Sequence, residues 1–277
     1  MFLSSKILIY SMKNFKTLEE KGLYYRGLTD YRLMTGLYTI VMVDGRSFSS
    51  LIKNQFKLPF DDDFINIMNK VAQKLCKEVS GAVLAYVQSD EISLILSDFG
   101  PEEKQPEPFF QYRLCKLLSI IPCIAAGEFN KEWLKLQGPS MEVLNKFEPV
   151  QFDCKVWQVP SWNEAYAWFL YRQNDCIRNS VGQTGHKFLG HKKTVGLSTD
   201  QIIDRLMQEG VNWNSYPDDR KYGRFIWKER VEKEATDNKG NIVKCLRSVW
   251  NIHTGLILRD EEEKNVFKKV TKKEEKD

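Results

Sequence analysis

Three short apolar runs bracket one amphipathic stretch, and that order leaves few ways to build a core. The runs are residues 37–43, 82–87 and 92–96, and they read as strands. Between the first two, Phe64, Ile67, Met68, Val71, Leu75 and Val79 recur every three or four residues, which is one face of a helix. Asp61, Asp62 and Asp63 stand where carboxylates favour a helix N-terminus, and Gly81 follows the end. The unit is therefore strand, helix, strand, turn, strand. A proline-rich loop (Pro101, Pro106, Pro108) leads to a second apolar helix over residues 109–133, which Pro122 is expected to kink or split. A fourth strand follows at residues 152–159. The series β-α-β-β-α-β predicts an α+β fold: a ferredoxin-like, four-stranded antiparallel palm with both helices on one face.

The second half predicts an α/β elaboration of that palm. Ser161 with Glu164 forms a capping box, and Trp162, Ala165, Phe169 and Ile177 keep helical spacing. A further helix is expected over residues 199–209, ended by Gly210. A hairpin follows, from residues 223–227 through a turn at 237–241 to residues 245–252. Beyond Arg259 the chain alternates charge blocks with almost nothing apolar, which predicts disorder.

Composition narrows the class. A chain of 277 residues can bury one substantial core, and 42% hydrophobic with 28% charged residues is ordinary for a soluble protein. Six scattered cysteines without a C-x-x-C pair read as reduced intracellular thiols, and three histidines argue against a histidine-rich metal centre. No apolar stretch approaches the ~20 residues that span a bilayer. The apolar patch at residues 2–10 lacks a cleavage site, and Met12 is a candidate functional start. These features predict a cytoplasmic protein with no membrane partner, with an organellar presequence and a mitochondrial location as the alternative.

Chemistry concentrates at strand ends. Val43-Asp44-Gly45-Arg46 closes the first run, and Gln88-Ser89-Asp90-Glu91 joins the second to the third. Alone, each reads as a turn. In the split βαβ order, however, the first and third strands are central neighbours, so Asp44 and Asp90 converge with the Gly45 carbonyl nearby. An oxygen-only site with open positions suits Mg²⁺, and two such ions can activate an attacking oxygen and stabilise a leaving pyrophosphate. Arg46, Lys57, Arg113 and Lys116 are expected to flank the same sheet edge, with Arg113 and Lys116 one helical turn apart and able to share a triphosphate. Cys76, Cys115 and Cys176 read as packing residues, and His186 and His191 as surface or RNA-contacting groups.

The run from Val43 to Phe48, followed by Ala85-Tyr86-Val87-Gln88-Ser89-Asp90-Glu91-Ile92-Ser93, resembles the tRNA-histidine guanylyltransferase family. Phe152-Asp153, Pro160-Ser161 and Tyr171-Arg172-Gln173-Asn174-Asp175-Cys176 extend the likeness, which covers residues 22–227. Members are reverse-direction polymerases that add nucleotides to the 5′ end of tRNA. The resemblance implies two Mg²⁺ ions on Asp44, the Gly45 carbonyl and Asp90, with Glu91 supporting the site. It implies nucleotide binding through Arg46, Ser47, Phe48, Lys57, Ser89, Arg113 and Lys116, although the family's lysine before a proline is displaced here to Lys57-Leu58-Pro59. The basic residues of the second half are expected to place RNA, through Arg178, Asn179, Lys187, His191, Lys192, Lys193, Lys221 and Arg224, and the resemblance implies ATP, GTP and other nucleoside triphosphates as substrates. A homo-oligomer, usually a tetramer, is expected.

One departure is informative. Ile177-Arg178-Asn179-Ser180 stands where the eukaryotic guanylyltransferases carry His-Ile-Asn-Asn, a segment linked to reading the histidine anticodon. This form is similar to the guanylyltransferase-like branch, which repairs 5′-truncated tRNA by templated addition. The resemblance thus implies a template-dependent 3′–5′ nucleotidyltransferase. The alternatives are a tRNA-His-specific enzyme adding a single G, or a non-catalytic RNA-binding palm. The glycine-rich hairpin of nucleotide cyclases is missing. The expected division is an N-terminal extension (1–21), a catalytic palm (22–160), a tRNA-binding and oligomerisation region (161–259) and a charged tail (260–277).

Overall fold

The computed structural model describes residues 15–98, 107–138, 140–236 and 242–271. The opening patch, Pro101, Pro106, the hairpin turn at 237–241 and residues 272–277 lie outside that set. Helix α1 (Leu18–Gly27) leads to strand β1 (Tyr38–Gly45), short helix α2 (Phe48–Gln55) and helix α3 (Asp62–Glu78). Strands β2 (Ala82–Gln88) and β3 (Glu91–Leu96) follow, then α4 (Leu114–Gln137), α5 (Met141–Lys146) and β4 (Phe152–Val159). The rest comprises α6 (Trp162–Phe188), α7 (His191–Thr194), α8 (Thr199–Gln208), α9 (Asp218–Lys221), the strands β5 (Arg224–Thr236) and β6 (Ile242–His253), and α10 (Glu261–Thr271).

All strand pairs are antiparallel, in the order β4-β1-β3-β2-β5-β6. The first four are the expected palm, with β1 and β3 central. The sheet does not stop there: β5 pairs with β2, from Leu84 opposite Trp227 to Val87 opposite Arg224. The hairpin of the second half therefore extends the palm sheet to six strands.

Side chains alternate across this sheet with the period of two that pleated strands impose. Val41, Val43, Ala85, Val87, Leu94 and Leu96 face α3 and α4, where Met68, Val71, Leu75, Leu117, Ile121 and Phe129 meet them. Tyr38, Ile40, Leu84, Tyr86 and Ile95 point the other way, onto Ala165 and Phe169 of α6 and Phe267 of α10. Covering both faces explains why the central strands are apolar throughout rather than alternating. The N-terminus of α3 is held by Asp61, whose Oδ1 accepts from the N–H groups of Asp63 and Phe64 at 2.9 and 3.0 Å. A third cluster (Val181, Leu189, Ile202, Leu206, Trp213) docks α8 on the far half of α6.

Three expectations change. Pro122 does not split its helix: α4 runs unbroken from Leu114 to Gln137 with Pro122 inside. The helix instead starts later than the apolar pattern suggests, because Phe110, Gln111 and Tyr112 adopt positive φ angles of 49, 53 and 54°. The stretch past Arg259 is ordered through residue 271. Val266, Phe267 and Val270, thinly spread among charges, have helical spacing, and Phe267 is fully buried against Phe169 and Phe225. Thr271 closes the contact by accepting from Trp162 Nε1 at 2.8 Å. No helix among the described residues is long and apolar enough to cross a membrane.

Candidate active site

The two acidic motifs meet at one corner of the sheet. Asp44 stands across from Glu91 on β3 and from Asp153 on β4. The Gly45 N–H donates to the Asp90 carbonyl at 3.2 Å, joining the end of β1 to the β2–β3 turn. Gly45 has a steric reason to be glycine: an added Cβ would lie 2.4–2.8 Å from Phe48 ring atoms. Past it, Ser47 takes φ 61° at the start of α2, and Ser89 takes φ 45° in the turn beside Asp90. Both are left-handed conformations that ordinary residues adopt at a cost of about 1–3 kcal/mol, a form of strain that clusters at functional sites.

The corner opens into a cleft of ≈ 680 Å³. Its floor carries Asp44, Gly45, Ser89, Asp90 and Glu91, with Ser47 at the cap of α2 and Lys53 within it. Opposite them stands α6, with Arg172, Asn179, Gln183, His186 and Lys187. That helix is pinned by its Ser161 cap, whose hydroxyl accepts from Glu164 N at 3.3 Å, and by Phe169 in the second core.

Charge at the corner is compensated unevenly. Burial pushes the Asp90 carboxyl up to about 6, against hydrogen bonds from its own backbone and Ser89, while Asp44 and Glu91 push it further. Asp44 is raised by burial and by Asp153, and eased by Lys155 and Arg172. Glu91 is raised by burial and eased by Arg172. Arg172 grips Glu91 with both arms, Nε to Oε1 at 2.7 Å and Nη2 to Oε2 at 2.5 Å. Neither Asp44 nor Asp90 has a cationic partner within 4.0 Å among the described residues.

Two partly buried carboxylates with no direct ion-pair partner fit a divalent ion. No group of three or more His, Cys, Asp or Glu side chains that could hold a metal occurs among the described residues, so the protein alone offers no closed cage. Mg²⁺ does not need one, since it binds through one or two carboxylates and completes its shell with water and substrate phosphates.

The other candidates divide. Ser47, Ser89, Asn179 and Lys187 line the cleft with Asp44 and Asp90. Phe48 is 1% exposed, packed against Phe64, Phe129 and Phe152, so its ring supports the floor and is not free to stack on a base. Arg46 is exposed and turned to Gln151, donating from Nη1 at 2.7 Å. Lys57 lies past α2, off the cleft, with its backbone N–H on Asp61; Lys53 is the lysine that reaches the lining.

Arg113 and Lys116 are at the wrong end of the sheet. Strand β3 runs about 20 Å away from Asp90 to Leu96, and Tyr112, next to Arg113, bonds Thr39 at that far end of the sheet. There Arg113 Nε donates to Asp30 Oδ1 at 2.6 Å, and Lys116 lies 5.9 Å from the Phe110 ring centroid. Among the RNA candidates, Arg178, His191, Lys192 and Lys193 are exposed, as are the cleft residues Asn179 and Lys187. Lys221 and Arg224 are not available: they are 8% and 4% exposed. Lys221 is bound to Asn214 O and Asp218, and Arg224 Nε donates to Asn69 Oδ1 at 2.7 Å. Arg172 carried a usable signal, a charged residue three places after buried Phe169 and four before buried Cys176, which demands a buried partner.

Residues 16–160, just over half of the chain, match the family model described as tRNAHis guanylyltransferase. The chain is 28% identical over 220 residues to tRNA(His) guanylyltransferase 1 of Arabidopsis thaliana, covering 75% of this chain and 37% of that protein. It is 25% identical to a probable tRNA(His) guanylyltransferase of Dictyostelium discoideum, covering 81% and 88%. It thus spans little more than a third of the plant protein's length and most of the amoebal one's. Among solved structures, a bacterial tRNA(His) guanylyltransferase-like protein in complex with GTP superposes with a TM-score of 0.72 at 25% identity, covering 92% of this chain and 99% of that one. The likeness in fold to such a protein in complex with ATP has a TM-score of 0.74 at 24% identity, over 90% and 96% of the two chains. The match in sequence and the shared sheet lead to one assignment: the chain belongs to the tRNAHis guanylyltransferase family of nucleotidyltransferases.

Proposed function

We propose that this chain is a template-dependent 3′–5′ nucleotidyltransferase that adds nucleotides to the 5′ end of tRNA after ATP or GTP activates the 5′ phosphate. The observation that carries it is the convergence of Asp44 and Asp90 with no direct ion pair to either among the described residues. Asp44, Asp90 and the Gly45 carbonyl would hold two Mg²⁺ ions, whose chemistry is to neutralise phosphate charge and lower the cost of ionising the attacking hydroxyl. Lys53 and Lys187 supply cations from two walls of the cleft for a triphosphate, and Ser89 adds a hydroxyl beside Asp90. Asn179 and Gln183 offer amides to RNA from α6, while Arg178, Lys192 and Lys193 provide exposed charge for its backbone. The family reading brings with it a homo-oligomer.

Templated repair is favoured over anticodon reading by Ile177. It occupies the first position of the segment that resembles the anticodon-linked one, and it packs on the Trp213 cluster instead of presenting a polar group. The second reading, a single G added to tRNA-His, is supported by the names of the relatives.

The test supplies a tRNA transcript lacking its first nucleotide, with a 5′-monophosphate, ATP, all four nucleotides and Mg²⁺, and follows 5′ extension on a sequencing gel. Extension that follows the opposing 3′ strand is expected, falling about a thousandfold or more in Asp90→Ala. A lone G added only to tRNA-His would replace the repair reading with the second one. RNA binding without extension in the wild type would reduce the chain to a binding module.

A further inference from the structure

Glu91 is placed to be a third carboxylate ligand at the acidic corner, yet both of its oxygens already accept from a guanidinium. It pairs with Asp44 across the β1–β3 ladder and adjoins Asp90, but Arg172 occupies it bidentately at 2.7 and 2.5 Å. The pair is withdrawn from water, with side chains 11% and 8% exposed. Arg172 is also fixed from behind: Asp175 lies 3.0 Å from Nη2, and the Trp168 and Tyr171 rings flank the guanidinium at 5.7 and 5.2 Å. A guanidinium held on three sides cannot swing away to release the carboxylate, and a planar fork on a carboxylate is the strong form of this contact.

We infer that Arg172 is a positioning residue that removes Glu91 from the set of cation ligands, so that the corner presents two carboxylates to the ions instead of three. The inference rests on the cation reading of Asp44 and Asp90. Its consequence is electrostatic and geometric. A third carboxylate would bind the metal more tightly, fill a coordination position that a phosphate oxygen needs, and repel the polyanionic nucleotide. Arg172 exchanges metal affinity in the free protein for room and charge balance in the complex.

The test is Mn²⁺ binding to the full chain, followed by electron paramagnetic resonance at pH 8 with no nucleotide or RNA, alongside steady-state extension kinetics. Arg172→Gln frees Glu91 and removes one positive charge, so Mn²⁺ binds about tenfold tighter while the KM for nucleotide rises. Glu91→Gln leaves the guanidinium unpaired beside Asp44, so Mn²⁺ binds about tenfold more weakly. The double variant, with both charges gone, returns to within about threefold of wild type. Arg172→Lys keeps the charge but loses the fork, and falls between wild type and Arg172→Gln. A purely structural role for Arg172 would weaken Mn²⁺ binding in every variant and cannot produce opposite signs. Wild-type binding lost in Asp90→Ala but unchanged or weakened in Arg172→Gln overturns this inference alone. Wild-type binding that survives Asp90→Ala overturns the cation reading and the inference together.

Discussion

Asp90 and Glu132 are both carboxylates drawn out of bulk water, and the protein treats them in opposite ways. Glu132, on α4, is 7% exposed and is met by the ammonium groups of Lys70 and Lys135 at 2.6 Å, with Lys131 at 3.5 Å. Hydrogen bonds from Lys135 and Lys70 hold its carboxyl down to about 2. Asp90, in the β2–β3 turn, has no such partner and is pushed up to about 6 by burial. The same fold thus satisfies one carboxylate fully and leaves the other waiting for charge from outside. Unsatisfied charge is costly to stability, and its concentration where two strand ends meet marks a place kept for ligand chemistry.

The largest effect expected from this contrast is at Asp90. Asp90→Asn keeps the shape and an acceptor for Ser89 while removing the buried charge. Activity should fall about a thousandfold, yet with divalent ions chelated at pH 8 the variant should melt a few degrees higher than wild type. Loss of activity with loss of stability would place Asp90 among the structural carboxylates, beside Glu132, and erase the comparison.

Glu132→Gln should behave in reverse, leaving extension kinetics near wild type and lowering stability by about 1–2 kcal/mol at neutral pH. The sign with pH follows from the depressed carboxyl. The folded chain holds Glu132 ionised down to about pH 2 and the unfolded chain only to about 4.5, so its contribution is complete above pH 4.5. It is lost as pH falls from about 4.5 towards 2, and urea melts of the two proteins should converge over that window. A gap that persists unchanged at low pH would mean that packing, not charge, holds this position.

Much of the acidic corner was legible in sequence because it depends on neighbours along the chain. Val43-Asp44-Gly45 ends a strand, Gln88-Ser89-Asp90-Glu91 turns a hairpin, and the split βαβ order puts the two side by side. What failed depends on where an element lies along the sheet and on what surrounds it. Helical spacing groups Arg113 with Lys116, but Arg113 is the extended residue just before α4, and spacing says nothing about which end of the sheet they occupy. The direction of β3 decides that. Lys221 and Arg224 look like surface bases until β5 joins the sheet and buries the segment leading into it. The order of residues 261–271 rests largely on Phe267, one aromatic in a charge-rich stretch that finds a hole between α6 and β5.

Arg113 gives the smallest expected effect and the sharpest limit on the comparison. Within one chain its guanidinium is committed to Asp30 at the end of the sheet opposite Asp90, about a strand length (~20 Å) from the acidic corner and beyond the reach of a triphosphate bound there. Arg113→Ala should change the KM for nucleotide by less than about twofold, because the ion pair it breaks is partly exposed and lies away from the cleft. The segment it holds, where Leu33 N donates to Tyr112 O at 2.9 Å, should become more sensitive to limited proteolysis. A tenfold rise in KM cannot come from within this chain at that distance. It would mean that a second copy brings its basic end to the first copy's acidic corner, and that the two ends kept apart by β3 meet across an assembly.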